Sequence, residues 1–309
     1  MIAKLDPDAA ARVASFGPPA TLRERGLPAV RKSLETAPLP TDMPEMARID
    51  DVTAGSVPLR IYRPTLEPEV PVVVYFHGGG LAMGSNHSYE PLARALASYS
   101  GATVVAVEYR LAPEHPAPAQ FDDAWAATCW VAERSTGLGM DATRLAVAGD
   151  SAGGGLAAAV TLAARDHGGP PIFAQVLMYP GVDRDMGTPS IGALANAPML
   201  TLDDIEYLHD LADGGAPATH DPYRVPAYAT DLTGLPPAIV LTAECDPIRD
   251  WGERYAARLR DAHVQTTVTR YPGIYHGFLM RSEATARGRL AIAETGSLLR
   301  AKFAHPLDF

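Results

Sequence analysis

A serine enclosed by glycines is the sharpest chemical feature of this 309-residue sequence. Residues 149–153 have the order Gly-Asp-Ser-Ala-Gly, and they join an apolar run at 145–148 to an Ala-rich stretch at 152–165. This context predicts a strand, a tight turn and a helix, with the serine hydroxyl raised above the strand end. The pattern therefore predicts Ser151 as a nucleophile. The alternative is a glycine-rich turn without chemistry; a phosphate loop is disfavoured because no Gly-Lys-Ser/Thr follows.

A second glycine run, His-Gly-Gly-Gly at 77–80, follows another apolar run. Glycines let backbone N–H groups approach a substrate oxygen closely, as an oxyanion hole requires. We expect the N–H groups of Gly78, Gly79 and Ala152 to be the donors. His77 is better explained as a side chain that holds this loop by hydrogen bonding than as a catalytic base.

A serine nucleophile needs a base, and after a Gly-x-Ser-x-Gly turn of this kind the chain order is serine, acid, histidine. His276 comes immediately after the predicted strand 266–271. His220 and His263 precede strands and His305 follows the last helix, so these three are wrongly placed. His276 is therefore the expected base, and the alternative is a structural loop histidine.

Two carboxylates follow the strand predicted at 238–242. Asp246 lies further into the loop than Glu244 and precedes Pro247, which favours an extended conformation that can reach the histidine. A base needs such a carboxylate to fix its tautomer. We expect Asp246 to be the acid, and we expect Glu244 to lie behind it without contacting the histidine directly. Asp150 is expected to be structural, because a side chain beside the nucleophile on a sharp turn should point away from it.

The elements that position these residues alternate between strand and helix. The apolar runs that predict strands lie at 72–76, 103–107, 145–148, 174–179 and 238–242, after a hairpin within 52–62 and before a more polar edge strand at 266–271. The predicted helices are 91–99, 121–134, 152–165 and 251–262. Continuous apolar strands are typical of a parallel sheet covered by helices on both faces. Its ligand site is expected beyond the carboxyl ends of the strands.

Two segments interrupt this alternation. The first 48 residues hold two helix-like pieces with few apolar residues, and 183–211 contains Leu202, Ile205 and Leu208 at helical spacing. We expect the two segments to pack together as a lid over the strand ends. The predicted division is a cap segment 1–48, a catalytic part 49–182, a second cap segment 183–215 and a second catalytic part 216–309.

Composition excludes several classes of function. The net charge of −10, from 26 basic and 36 acidic residues, is unfavourable for binding nucleic acid or an anionic membrane surface. No run is apolar enough to cross a bilayer, and no signal peptide is evident at the start. Cys129 and Cys245 form no metal-binding or disulfide pattern. We therefore predict a cytoplasmic protein without a metal or other cofactor.

Together the motifs resemble the bacterial hormone-sensitive-lipase-like esterases, family IV of the α/β-hydrolase fold. The motifs that match are His-Gly-Gly-Gly at 77–80, Tyr-Arg-Leu-Ala-Pro-Glu at 109–114, Gly-Asp-Ser-Ala-Gly-Gly at 149–154, Leu-Pro-Pro at 235–237, Asp-Pro-Ile-Arg-Asp at 246–250 and His-Gly-Phe at 276–278. The resemblance implies a mostly parallel eight-stranded sheet flanked by helices, with a helical cap. It also implies cofactor-free hydrolysis of short to medium acyl esters and a possible homodimer formed through the last strand.

Two positions depart from the family pattern. Leu81 stands where a bulky aromatic residue is usual, and Trp251 stands where an acidic residue is common. The first predicts a wider pocket that accepts bulky acyl or alcohol groups. The second is expected to change only helix packing.

The sequence thus predicts a serine carboxylesterase that acts on small-molecule esters through an acyl-enzyme, with Ser151, Asp246 and His276 as its triad. An amidase or formamidase with the same triad is the main alternative. The other is a non-catalytic receptor resembling the plant gibberellin receptors, which share the fold but lack the catalytic histidine.

Overall fold

The computed structural model describes residues 4–215 and 220–306. Its strands are β1 (Arg48–Ala54), β2 (Val57–Arg63), β3 (Val70–Phe76), β4 (Thr103–Val107), β5 (Met140–Asp150), β6 (Ala174–Met178), β7 (Ala238–Cys245) and β8 (Thr266–Tyr275). They form an eight-stranded sheet in the order β1-β2-β4-β3-β5-β6-β7-β8. The β1–β2 and β2–β4 pairs are antiparallel, and the pairs from β4 to β8 are parallel. The predicted mostly parallel eight-stranded sheet is confirmed.

Helices cover both faces of this sheet. They are α1 (Pro7–Ala14), α2 (Leu22–Arg25), α3 (Leu27–Thr36), α4 (Glu90–Ser100), α5 (Ala119–Arg134), α6 (Ala152–Asp166), α7 (Pro189–Ala193), α8 (Leu202–Asp213), α9 (Arg249–Asp261) and α10 (Ala286–Ala304). Along β3, Val72, Val74 and Phe76 belong to one buried cluster, whereas Val73 and Tyr75 belong to the other. Successive side chains of a strand point to opposite faces, and both faces of this sheet are buried. The apolar run is therefore continuous in sequence.

Strand β8 extends four residues beyond its predicted end at Tyr271. Its pairing with β7 shifts register between Ala243 and Cys245, after which Cys245 pairs with Tyr275. This irregularity lets β8 continue past Pro272, which cannot donate to a regular ladder. His276 consequently follows the strand directly.

Parts of the two predicted cap segments are in contact. Helices α2 and α8 each begin with a capping box, formed by Thr21 with Glu24 and by Thr201 with Asp204. The same Asp204 carboxylate accepts a 2.6 Å hydrogen bond from the backbone N–H of Leu22. These contacts support the proposal that α2 and α8 form one lid.

Helix α1 lies elsewhere, against the carboxyl end of β8. The backbone N–H of Asp6 donates to the carbonyl of Gly273 at 2.8 Å, and the Asp6 carboxylate pairs with Arg287 of α10. Within 1–48, α1 therefore packs on the catalytic part. The ends of the proposed division, at residues 1–3, 216–219 and 307–309, lie outside the described residues.

Candidate active site

The turn between β5 and α6 holds Ser151 in a strained conformation, with φ 53° and ψ −122°. Two residues before it and two residues after it, only glycine fits. A Cβ added to Gly149 would lie 2.0 Å from the Gly153 carbonyl oxygen, and one added to Gly153 would lie 2.0 Å from that of Phe76. The turn is thus closed by direct backbone contact, and the serine is placed at the helix N-terminus.

Three side chains from the ends of β5, β7 and β8 meet at this point. The Nε2 atom of His276 is 2.8 Å from the Ser151 hydroxyl oxygen, and its Nδ1 is 2.7 Å from Asp246 Oδ2. Asp246 is fully buried, and its Oδ1 accepts a 2.9 Å hydrogen bond from the N–H of Ile248. With Nδ1–H donating to the carboxylate, Nε2 is free to accept the serine proton. The structure brings together the three residues predicted as a triad.

The neighbouring carboxylate, Glu244, does not contact the histidine through a hydrogen bond. Its Oε2 accepts a 2.8 Å hydrogen bond from the N–H of Gly273, three residues before His276. Asp250 likewise accepts from the N–H of Ser190 at 2.8 Å. Each of the two carboxylates holds a loop near the site, and Glu244 makes no direct hydrogen bond to the histidine, as expected.

The expectation for Gly78 is corrected by the structure. Its N–H donates to Asp150 Oδ1 at 2.8 Å, so it is not free for a substrate oxygen. The N–H groups of Gly79 and Gly80 make no hydrogen bond within the described residues. Ala152 is the first residue of α6, where the N–H has no intrahelical acceptor. We therefore propose these three N–H groups as the oxyanion hole.

His77 holds the glycine loop, as predicted. Its ring stacks against Tyr109 at 4.3 Å and against Tyr89 at 5.3 Å between centroids. Its Nδ1 is 2.7 Å from the Gly78 carbonyl oxygen, and the Tyr109 hydroxyl donates to the His77 carbonyl at 2.6 Å. Burial lowers the pKa of His77 to about 4, so the ring is neutral near neutral pH.

A cavity of about 90 Å³ opens beside Ser151, between the strand ends and the cap. Helix α8 contributes Ile205, Leu208 and His209, which share one face because they are three and four positions apart. The remaining lining residues are Gly80, Leu81, Ala152, Gly155, Leu156, Gly181, Asp183, Arg184, Leu200, Ala212, Tyr223, Arg224, Ile248 and Trp251. The lining is mainly apolar and includes two arginines, Arg184 and Arg224.

Trp251 and His209 line one side of this pocket, so the expectation that Trp251 changes only helix packing is corrected, and His209 was not predicted as a site residue. Their rings stack at 6.0 Å, and the indole N–H of Trp251 donates to the Asp185 carbonyl at 2.8 Å. Burial, followed by the charge of Arg184, lowers the pKa of His209 to about 3, so it is neutral. For His209, the signal in the sequence was its position four residues after Ile205 on the apolar face of α8. Trp251 carried no such signal.

Two features are not found within residues 4–215 and 220–306. No group of three or more His, Cys, Asp and Glu side chains is arranged to hold a metal ion. None of the helices described is both long and apolar enough to span a membrane.

Several known proteins are similar to this chain in fold and in sequence. A family model described as alpha/beta hydrolase fold matches residues 73–280. Carboxylesterase NlhH of Mycobacterium tuberculosis is 41% identical over 283 residues, covering 86% of this chain and 89% of that protein. Ethyl acetate hydrolase of Pseudomonas putida is 36% identical over 229 residues, covering 72% of each. The structure of a hyperthermophilic esterase from the archaeon Pyrobaculum calidifontis superposes with a TM-score of 0.90 at 36% identity, covering 97% of this chain and 99% of that one. The chain therefore belongs to the hormone-sensitive-lipase-like family of α/β-hydrolases.

Proposed function

We propose that this protein is a serine carboxylesterase that hydrolyses short to medium acyl esters through an acyl-enzyme. The observation that carries the proposal is the hydrogen-bonded line from the Ser151 hydroxyl through His276 to the buried Asp246 carboxylate. The relatives named carboxylesterase and ethyl acetate hydrolase support the ester as the substrate class.

In the proposed reaction, the Ser151 oxygen bonds to the ester carbonyl carbon while its proton moves to His276 Nε2. The carbonyl oxygen becomes an oxyanion that accepts hydrogen bonds from the N–H groups of Gly79, Gly80 and Ala152. The carbon–oxygen bond to the alcohol then breaks, and His276 returns the proton to the leaving oxygen. Water repeats these steps on the acyl-enzyme and releases the carboxylic acid.

The size of the pocket supports short acyl chains. Its volume of about 90 Å³ is well below the roughly 300–1,000 Å³ of sites that hold drug-sized ligands. We therefore expect this space to accept small acyl groups without displacement of the α8 side chains Leu208 and His209, which line it. The expectation that Leu81 widens the pocket and lets it accept bulky groups stays a prediction, and Leu81→Trp tests it.

The test is the hydrolysis of p-nitrophenyl esters from acetyl to palmitoyl, with Ser151→Ala measured in parallel. We expect activity to peak at short chains and to fall on the order of 10⁴-fold or more in the variant, as in other triad deletions. The variant's thermal unfolding should match that of the parent. Ester hydrolysis by Ser151→Ala at close to the parent rate would contradict the proposal. A p-nitroanilide of the same acyl group distinguishes the amidase alternative.

Two further expectations belong to this proposal. A homodimer through β8 is supported by the position of this strand at the sheet edge and by exposed Leu290 on the neighbouring α10. Light scattering after size-exclusion chromatography measures the mass directly. A cytoplasmic location is supported by Cys129 and Cys245, which are both free thiols. Cell fractionation tests it.

A further inference from the structure

The residue before the nucleophile, Asp150, ends β5 with its side chain almost completely buried. One carboxylate oxygen, Oδ1, accepts hydrogen bonds from the Tyr75 hydroxyl at 2.7 Å and from the Gly78 N–H at 2.8 Å. The other, Oδ2, lies 3.5 Å from the Tyr179 hydroxyl. This carboxylate was expected to be structural. Its contacts connect it to the glycine loop, through Gly78, and to the neighbourhood of His276, through Tyr179.

The hydrogen bond to Gly78 joins two short backbone segments that must stay in register. Gly78 directly precedes the proposed donors Gly79 and Gly80, and Asp150 directly precedes Ser151. The fit is tight, because a Cβ added to Gly78 would lie 2.5 Å from Asp150 Oδ2. A shift of the glycine loop relative to the serine would therefore have to break this contact.

The carboxylate also reaches the base through one intermediate. The ring of Tyr179, whose hydroxyl faces Asp150 Oδ2, packs with its edge toward the His276 imidazole at 5.1 Å between centroids. Tyr179 itself adopts a positive φ of 38°, which is rare for a bulky residue. The nucleophile turn, the glycine loop and the packing of the base thus share one buried acidic group.

We propose that Asp150 is a positioning residue for ester hydrolysis: it holds the glycine loop against the nucleophile turn so that the Gly79 and Gly80 N–H groups face the oxyanion formed at Ser151. This inference rests on the proposed function. The preorganised orientation of such donors is what stabilises the transition state, and small displacements weaken it strongly.

The energetic setting supports a role in catalysis rather than in stability. Burial raises the pKa of Asp150 to about 6, against the opposing effect of its hydrogen bonds to Tyr75 and Gly78. The ionised side chain is therefore kept at a desolvation cost, which is typical of groups retained for function. An uncharged, isosteric residue at this position should not pay this cost.

The main test compares Asp150→Asn with the parent enzyme, using p-nitrophenyl butyrate and a trifluoromethyl ketone of the same acyl length. Ser151 adds to the ketone carbon, its proton passes to His276, and the ketone oxygen becomes an oxyanion in the hole. Because asparagine lacks the charge that strengthens the Gly78 hydrogen bond, we expect kcat to fall roughly 10- to 100-fold. KM should change less than about threefold, and the ketone Ki should rise by the same factor as kcat/KM falls.

A matched control is Asp123→Asn, which changes another buried carboxylate, one that pairs with Arg110 outside the site. It should lower the unfolding temperature without changing kcat. The rate is expressed per active site, with the active sites counted by burst titration. If Asp150→Asn leaves kcat and the ketone Ki unchanged, or lowers kcat without affecting the ketone, the positioning role is overturned.

A second variant keeps the test available if Asp150→Asn does not fold. Tyr75→Phe removes the hydrogen bond from the Tyr75 hydroxyl to Asp150 Oδ1, the oxygen that also accepts from Gly78, and leaves the Asp150 carboxylate in place. We expect kcat and ketone affinity to fall together by about threefold to tenfold, and no change in either would overturn the proposal. Failure of the proposed function is distinguishable, because there Ser151→Ala would itself retain ester hydrolysis.

Discussion

Replacement of Asp246 by asparagine removes the charge behind His276 with almost no change of shape. Oδ1 of Asp246 accepts the Ile248 N–H at 2.9 Å, whereas Oδ2 faces His276 Nδ1 at 2.7 Å. An asparagine keeps its carbonyl oxygen on the Ile248 N–H, so its NH₂ group turns toward the imidazole. Two donors cannot share that contact, and the proton must move from Nδ1 to Nε2. The histidine then cannot accept the Ser151 proton.

The expected loss in kcat is about 10⁴-fold, the size observed when an isosteric amide forces the wrong tautomer in another serine hydrolase, or about 5.5 kcal/mol in activation free energy. Initial rates with p-nitrophenyl butyrate measure it, and thermal unfolding checks that the fold persists. Glu244→Gln is the matched control in the same loop, because Glu244 binds the Gly273 N–H and not the imidazole. A kcat loss under about tenfold in Asp246→Asn, or an equal loss in Glu244→Gln, would refute this reasoning.

Three further substitutions address the loop and the pocket. Gly79→Ala should lower kcat by about 10²-fold or more, because its Cβ would lie 2.1 Å from the Met83 carbonyl oxygen and the loop must move; steady-state kinetics with an unchanged kcat would remove Gly79 from the oxyanion hole. Leu81→Trp should reduce the kcat/KM ratio of bulky to small esters, and an unchanged ratio would show that Leu81 does not set pocket width. Trp251→Ala should remove the stack on His209 and raise the kcat/KM ratio of hexanoate to acetate esters, at a cost of about 3–5 kcal/mol in unfolding free energy measured by denaturant titration; a constant ratio would contradict its place in the pocket wall.

Much of the fold could be predicted because the signals are local. The strand β4 lies at 103–107 as predicted, since a short run of β-branched and small apolar residues has few other ways to be buried. Ser151 could be identified because glycines on both sides, a preceding strand and a following helix are required by one tight turn. His276 could be chosen by its place after a late strand, and Asp246 by its place in the preceding loop. Chain order and strand ends were sufficient to select all three as candidates, and the structure brings their side chains together.

Other features depend on contacts between distant residues. The interpretation of Gly78 was wrong because the direction of the Asp150 side chain, 72 positions away, decides which loop N–H groups are free. The place of Trp251 in the pocket depends on the approach of α8, and the position of α1 on the catalytic part depends on the pairing of Asp6 with Arg287. The sequence by itself determined the strand and helix order, the nucleophile turn and the triad candidates, because periodicity and turn chemistry act over a few residues. Only the tertiary structure decided which backbone donors remain available and how large the pocket is, because both depend on side-chain packing between segments far apart in the chain.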